Sequence, residues 1–243
     1  FSAFFLLRFW YQHGFLEIND RPMWYVIQGG SNTYIKKIKE TFAGNIYLKT
    51  GVKTVKPPAL PNNLVEVILE NGENRFYNKV IIATHSDQAL SLLENPTPKE
   101  IQLMKAIPYQ KNQAFLHWDH TVLPRSKRAW ASWNYQVGGE KKLPVVHYNM
   151  NILQSLESPR TYCVSLNPTE PLSENKIFRE ITYHHPVFTP EGYREQNHYQ
   201  SFMGEEKRYF CGAYLRNGFH EDGLVTALRV CKKILGKSFP WQE

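Results

Sequence analysis

Three glycine-bearing or strand-end junctions hold the residue types that could do chemistry. They are Gly29-Gly30-Ser31 after Trp24-Tyr25-Val26-Ile27, the end Ala83-Thr84-His85 of the run Lys79-Val80-Ile81-Ile82, and the turn from Gly218 to Gly223. A helix N-terminus leaves backbone N–H groups without intrahelical partners, and the helix dipole adds positive potential there. Such junctions therefore bind phosphate and other electronegative groups. Glycine lets a ligand approach the backbone closely. Plain turn geometry is the competing reading of each junction taken alone.

Other chemistries find less support. The nine histidines include His184-His185 and His220-Glu221-Asp222, but no HExxH spacing exists, so no metal site is expected. No GxSxG elbow marks a hydrolase nucleophile. The three cysteines, Cys163, Cys211 and Cys231, show no CxxC spacing and imply reduced, buried thiols in a cytoplasmic setting. Trp118, Trp130 and Trp133 lie close in sequence, with Asn134 and Tyr135 beside them. They read either as packed core aromatics or as an aromatic wall facing a ligand.

Composition bounds these readings. The chain has 243 residues, 42% of them apolar, enough to pack one large domain or two small ones. The net charge of +7 is scattered, and its densest patch, Arg125-Ser126-Lys127-Arg128, is four residues long. A solvated basic face follows, with an anionic lipid or phosphate-bearing ligand as the alternative and no nucleic-acid partner expected. The apolar run Phe1 to Tyr11 is too short to span a bilayer and lacks signal-peptide features. It reads as a core helix in preference to a membrane-facing one, because Arg8 interrupts it.

Periodicity places the elements that must position these residues. Helical spacing covers 1–16, 32–42, 86–94, 99–107 and 224–235. Strand-like runs occupy 24–27, 45–49, 51–55, 65–69, 75–77, 79–84, 113–119, 129–135, 144–149, 160–166 and 208–213. The run 79–84 is apolar throughout, as in a strand buried on both faces of a parallel sheet. The middle of the chain has an antiparallel texture, and 168–204 reads as irregular.

Together these segments resemble one family pattern. Val26 to Ile35 is similar to the strand–Gly-Gly–helix element of amine-oxidase-like flavoproteins, Gly51 to Val55 to the strand near the adenine, and Val80 to Leu90 to the ATG-like strand end. Within that superfamily, Leu116-His117-Trp118-Asp119, Leu123-Pro124-Arg125, Ala129 to Tyr135, Leu166-Asn167-Pro168 and Gly218 to Gly223 resemble, in order, phrases of the bacterial "predicted NAD/FAD-binding protein" group. The resemblance implies an α/β fold: a partial, Rossmann-like FAD-binding domain at 22–95 and 205–236, and a mixed-sheet substrate domain at 1–21 and 96–204. It implies FAD as cofactor, near Gly29, Gly30, Val52, Ala83, Thr84, Gly212, Asp222, Gly223 and Leu224. The last three would lay backbone amides against the flavin pyrimidine. It implies hydride transfer from a substrate carbon to flavin N5, with a small-molecule or lipid substrate in a pocket near His117, Trp130, Trp133, Asn134 and Tyr135.

No GxGxxG occurs in the chain, and that unit is expected to lie upstream of Phe1, so these 243 residues are expected to bind FAD weakly or not at all. Where many relatives carry Glu after the glycine matching Gly212, this chain has Ala213. Where many carry a flavin-facing Lys, it has Asn112 or a neighbour. Those departures keep a second reading open, a flavin-binding module without chemistry. The apolar start and basic surface suggest a third, a peripheral membrane protein.

Overall fold

The computed structural model describes residues 3–19, 23, 25–137 and 143–237. The chain opens with α1 (Ala3–Gln12) and α2 (Asn32–Thr41), then β1 (Val52–Ala59), β2 (Leu64–Leu69), β3 (Asn74–Tyr77) and β4 (Val80–Ile82). Next come α3 (Ser86–Leu92), α4 (Pro98–Ala106), β5 (Tyr109–His117), β6 (Trp133–Gln136), β7 (Val145–Asn149), α5 (Met150–Leu153), β8 (Cys163–Leu166) and β9 (Ile177–Pro186). It ends with α6 (Pro190–His198), β10 (Arg208–Phe210) and α7 (His220–Leu235). The fold is α/β, as the sequence implied. Contacts divide the chain into two compact units, Phe1–Pro22, Gly44–Tyr109 and Pro186–Glu243 in the first, Met23–Ala43 and Gln110–His185 in the second. These boundaries differ from the expected partition: α1, α4 and α6 fall with the strands of the first unit, while Gly29, Gly30 and α2 fall in the second.

In the first unit, β1, β2 and β3 form an antiparallel sheet. Leu64-Val65-Glu66-Val67-Ile68-Leu69 alternates along the strand, and Val65, Val67 and Leu69 are the buried set. The Glu70 to Glu73 turn closes through Gly72 at φ +85°. β4 pairs in parallel with β10, Ile81 opposite Tyr209 and Ile82 opposite Phe210, but of the expected two-faced burial only Ile82 is fully buried and Ile81 is about half exposed. Thr97 caps α4 in a capping box with Glu100, and Pro98 sits in its first turn. The core gathers Val55, Val65, Ile82, Leu103, Ile107, Tyr199, Phe210 and Val230. Beneath it lies a fully buried ion pair: Arg208 donates Nε to Glu100 Oε1 at 3.0 Å and Nη2 to Oε2 at 2.8 Å, and Nη1 reaches the Glu94 carbonyl at 3.1 Å.

The second unit is built on a five-stranded sheet in the order β6-β7-β8-β5-β9. Its neighbours β6–β7, β7–β8 and β5–β8 are antiparallel. Helix α2 has no buried side chain.

Four expectations fail here for physical reasons. Residues 25–27 and 45–49 form no strand, because a strand exists only against a partner edge and none of the described elements pairs with them. Residues 168–204 are not irregular but contain β9 and α6. The start of α6 is a Thr189 cap followed by Pro190, a signal that composition masks. Helix α7 begins at His220 rather than Leu224. Helix α1 is not a core helix: Leu7, Trp10 and Tyr11 are exposed.

Candidate functional site

Parallel pairing brings one expected junction beside an expected cofactor-site glycine. The β4–β10 register sets Ala83 and Thr84 beside Cys211 and Gly212, and the Cys211 N–H donates to the Ile82 carbonyl at 3.2 Å. Gly212 takes φ 156°, ψ 155°, a conformation open essentially to glycine, and a Cβ there would stand 2.6 Å from the Tyr214 ring. Thr226 on α7 locks this turn. Its hydroxyl accepts the Gly212 N–H at 3.0 Å and lies 3.2 and 3.0 Å from the carbonyls of Gly212 and Gly223.

At the start of α7 the geometry corrects the expected amides. The Gly223 N–H already donates to the Phe219 carbonyl at 3.2 Å, so it and Leu224 belong to the helical ladder. The amides that open the helix are those of residues 220–222. The Asp222 side chain is buried and faces inward. It accepts the Phe219 N–H at 2.9 Å and stands 3.2 Å from Arg216 Nε. Its role in the chain is therefore a helix cap and an ion-pair partner.

Val52, Ala83 and Thr84 line a cleft of about 410 Å³, walled by Val55, Val80 and Ile82. Gln88 and Ser91 on α3 add the polar handles. Sequence reasoning missed both, although their i, i+3 spacing places them on one helix face just after the strand end. His85, between Thr84 and α3, stacks on Tyr109 at 4.2 Å, and burial raises the Tyr109 phenol to about 12. Gly29 and Gly30 lie in the second unit on an exposed turn, both at φ near +80°, with the Gly30 carbonyl accepting from Thr33.

None of the expected pocket residues His117, Trp130, Trp133, Asn134 and Tyr135 lines the 410 Å³ cleft or the second unit's cavity of about 600 Å³. His117 is fully buried in a hydrogen-bonded chain. The Asp119 N–H donates to His117 Nδ1 at 3.1 Å, which puts the imidazole proton on Nε2, 2.7 Å from Ser165 Oγ. Ser165 in turn is 2.7 Å from His147 Nδ1, and His147 Nε2 is 3.0 Å from Gln136 Oε1. The Gln136 amide then donates to Thr169 Oγ1. Burial lowers His117 to about 4, the His147 proton repels further, and the Asp119 carboxylate only partly offsets this. Burial lowers His147 too. For Asp119 burial acts upward, but hydrogen bonds from Ser173, Lys176 and Thr121 outweigh it and hold the carboxyl well below its usual range. Trp118 lies between the cations of Arg160 and Lys176, Trp130 donates Nε1 to the Pro124 carbonyl, and Asn134 ties Ala131 to the His147 carbonyl. Trp133 and Tyr135 share the outer face of β6, 50% and 64% exposed.

The second unit does contain a cavity, of about 600 Å³, which the sequence did not signal. Phe115, Leu143, Leu172 and Ile177 form apolar walls, and Gln113 and Thr169 supply polar edges. Among the described residues no cluster of three His, Cys, Asp or Glu side chains could hold a metal, and no helix is long and apolar enough to cross a membrane.

No family model and no curated protein matches the sequence. Solved structures do match the fold. A fatty acid isomerase from P. acnes that produces CLA aligns over 85% of this chain and 51% of its own, at 9% identity and TM-score 0.57. A candidate protoporphyrinogen oxidase from Exiguobacterium sp. 255-15 aligns over 87% and 52%, at 10% identity and TM-score 0.58. A putrescine oxidase redesigned in its cofactor binding aligns over 86% and 53%, at 13% identity and TM-score 0.55. The chain thus spans about half the length of the solved structures it matches. At these identities the likeness is one of fold: this chain folds like roughly half of each of those enzymes.

Proposed function

We propose that the chain is part of an FAD-dependent oxidoreductase of the amine-oxidase-like type, cytoplasmic, acting on a small-molecule or lipid-related substrate. One observation carries this reading. The parallel β4–β10 pair brings Ala83 and Thr84 to an apolar cleft that Val52 of β1 also lines, with the Gly212 turn and α7 at the adjoining strand end. Valine walls with one hydroxyl, one amide and one serine handle suit a flat heteroaromatic ring such as adenine. Bound flavin would supply hydride acceptance at N5. The chain's own residues would hold the ring in the cleft, keep the Gly212 backbone open to close approach, and set the start of α7 toward electronegative atoms. The apolar walls of the second unit's cavity favour a substrate with a hydrocarbon portion, and the fatty acid isomerase among the fold matches agrees with that. Asp222, Gly223 and Leu224 keep their place near the flavin in this proposal only through the backbone at the start of α7.

Protein expressed from its complete reading frame should purify yellow, and Gly212→Ala should abolish flavin retention while costing about 1–3 kcal/mol in stability. A colourless protein that takes up no added FAD would overturn the proposal. Residues 1–243 alone should bind FAD weakly or not at all, which equilibrium dialysis can measure. The exposed Leu7, Trp10 and Tyr11 on α1 favour one second reading, a module that also touches membrane surfaces. Absence of binding to anionic vesicles at low salt would remove it.

A further inference from the structure

The first unit contains a second, chemically opposite cavity. It measures about 290 Å³ and brings together Arg8 from α1, Gln196 and Asn197 from α6, Arg229 from α7, and Arg216 from the turn before α7. Three guanidinium groups therefore face one small space, and among the described residues no carboxylate lines it. Among the described residues the one acid paired with any of them is Asp222, 3.2 Å from Arg216 Nε at the cavity's margin. Arginine does not shed its proton to relieve such crowding, so the field inside stays positive.

The groups are held in place rather than left to swing outward. Arg8 Nη1 donates to the Tyr193 hydroxyl at 3.2 Å, and its guanidinium lies 5.2 Å over the same ring. Arg229 Nη1 donates to the Tyr199 hydroxyl at 3.4 Å. Neutral phenols fix the cations without neutralising them. Three buried atoms there have no hydrogen-bond partner among the described residues: Arg8 Nε and Arg216 Nε, both donors, and Gln196 Oε1, an acceptor. Gln196 cannot turn over to relieve this, because its amide nitrogen is committed to the carbonyls of Tyr214 and Arg216 at 2.7 Å each. A buried donor and a buried acceptor without partners each cost stability that a ligand can recover.

We propose that Arg8, Arg216 and Arg229 form a binding pocket for a small oxyanion, a phosphate or carboxylate group whose neighbouring hydroxyl donates to Gln196. Bidentate guanidinium forks recognise both anions, and the unpartnered Gln196 oxygen selects among them for one bearing a hydroxyl hydrogen. Apart from the strand-end turn that leads to Arg216, its walls come from α1, α6, the 3-10 turn at Gln200 and α7, none of which lines the apolar cleft. The pocket therefore stands or falls separately from the flavin proposal.

The test is calorimetric titration of the 243-residue protein, without flavin, against inorganic phosphate and against glycolate, with chloride held at constant ionic strength. Saturable binding of either supports the pocket, and the preferred anion identifies its source chemistry. Arg8→Gln and Arg229→Gln should each weaken it roughly tenfold, the loss expected for one charge-assisted contact. Arg229→Lys, which keeps the charge but not the fork, should fall between. Acetate should bind more weakly than glycolate, since it offers no hydroxyl to Gln196. Arg216 is left intact because it also holds Asp222. Failure of both anions to saturate would overturn the proposal, as would binding that neither glutamine variant changes while circular dichroism shows both folded.

Discussion

The two units satisfy their most deeply buried side chains by different means, although Asp119 of the second also keeps a charge paired, with Lys176. In the first, charge is kept inside and paired: Arg208 and Glu100, both fully buried, meet through two hydrogen bonds, and the spare guanidinium nitrogen is used by the Glu94 carbonyl. In the second, the interior histidines are kept neutral, and a one-way chain of donors runs from the Asp119 amide through His117, Ser165 and His147 to Gln136. The difference separates frame from site. A paired charge under β10 fixes a strand end beside an open cleft. The neutral chain commits both ring nitrogens of His117 to its neighbours, an arrangement that supports the sheet.

Removing one member of the charged pair should give the largest effect. Arg208→Met leaves the Glu100 carboxylate buried without its partner, which should cost about 3–5 kcal/mol in urea unfolding. The same variant should loosen the β4–β10 strand end before the second unit responds. A loss below about 1 kcal/mol would mean that water reaches Glu100, and that the contrast between the units is overdrawn.

Acid should act on the other side of the comparison. His117 titrates near 4 in the folded chain and near 6.5 when unfolded. Between these values the unfolded state binds more protons, so stability rises with pH across that window. It is complete above the unfolded value and is lost as pH falls toward the folded one. The loss should be on the order of 2–3 kcal/mol, with His147 adding to it in the same direction. Asp119, held low, contributes in the same sense but only at still lower pH. Urea midpoints measured from neutral to mildly acid pH check this, and His117→Gln should flatten the slope by about one proton. An unchanged slope would show that the imidazole is not sealed.

Much of this frame was legible in residue order, and the reasons it stopped being legible are specific. Val80-Ile81-Ile82 announced a parallel strand by its unbroken apolar run, although Ile81 is about half exposed, and the helical spacing of 99–107 announced α4, whose Thr97 cap lies just before it. Val26-Ile27 and Ile46-Tyr47-Leu48 carried the same apolar composition yet form no strand, since pairing is a non-local property. Val52, Ala83 and Thr84, which a family phrase placed near a cofactor, line one cleft. Gln88 and Ser91 belonged to no phrase. The arginine cavity assembles three residues spread across most of the chain, which no spacing rule can see.

The aromatic wall is where the contrast sharpens last, and by the smallest amount. Trp133 and Tyr135 occupy the outer face of β6, while Asn134 between them turns inward to bond the His147 carbonyl. If the outer face is only surface, Trp133→Ala and Tyr135→Ala lose partial burial alone, about 0.5–1 kcal/mol at most for the tryptophan, whose ring meets Tyr148 edge-on at 6.2 Å. Asn134→Ala should cost more than either, since it strips partners from two carbonyls and an amide. That order, with the polar residue outweighing both rings, follows from a sheet supported from within. The reverse order, with a tryptophan substitution that leaves stability intact but removes substrate turnover in the flavin-loaded protein, would make the face a binding surface and move the substrate away from the 600 Å³ cavity.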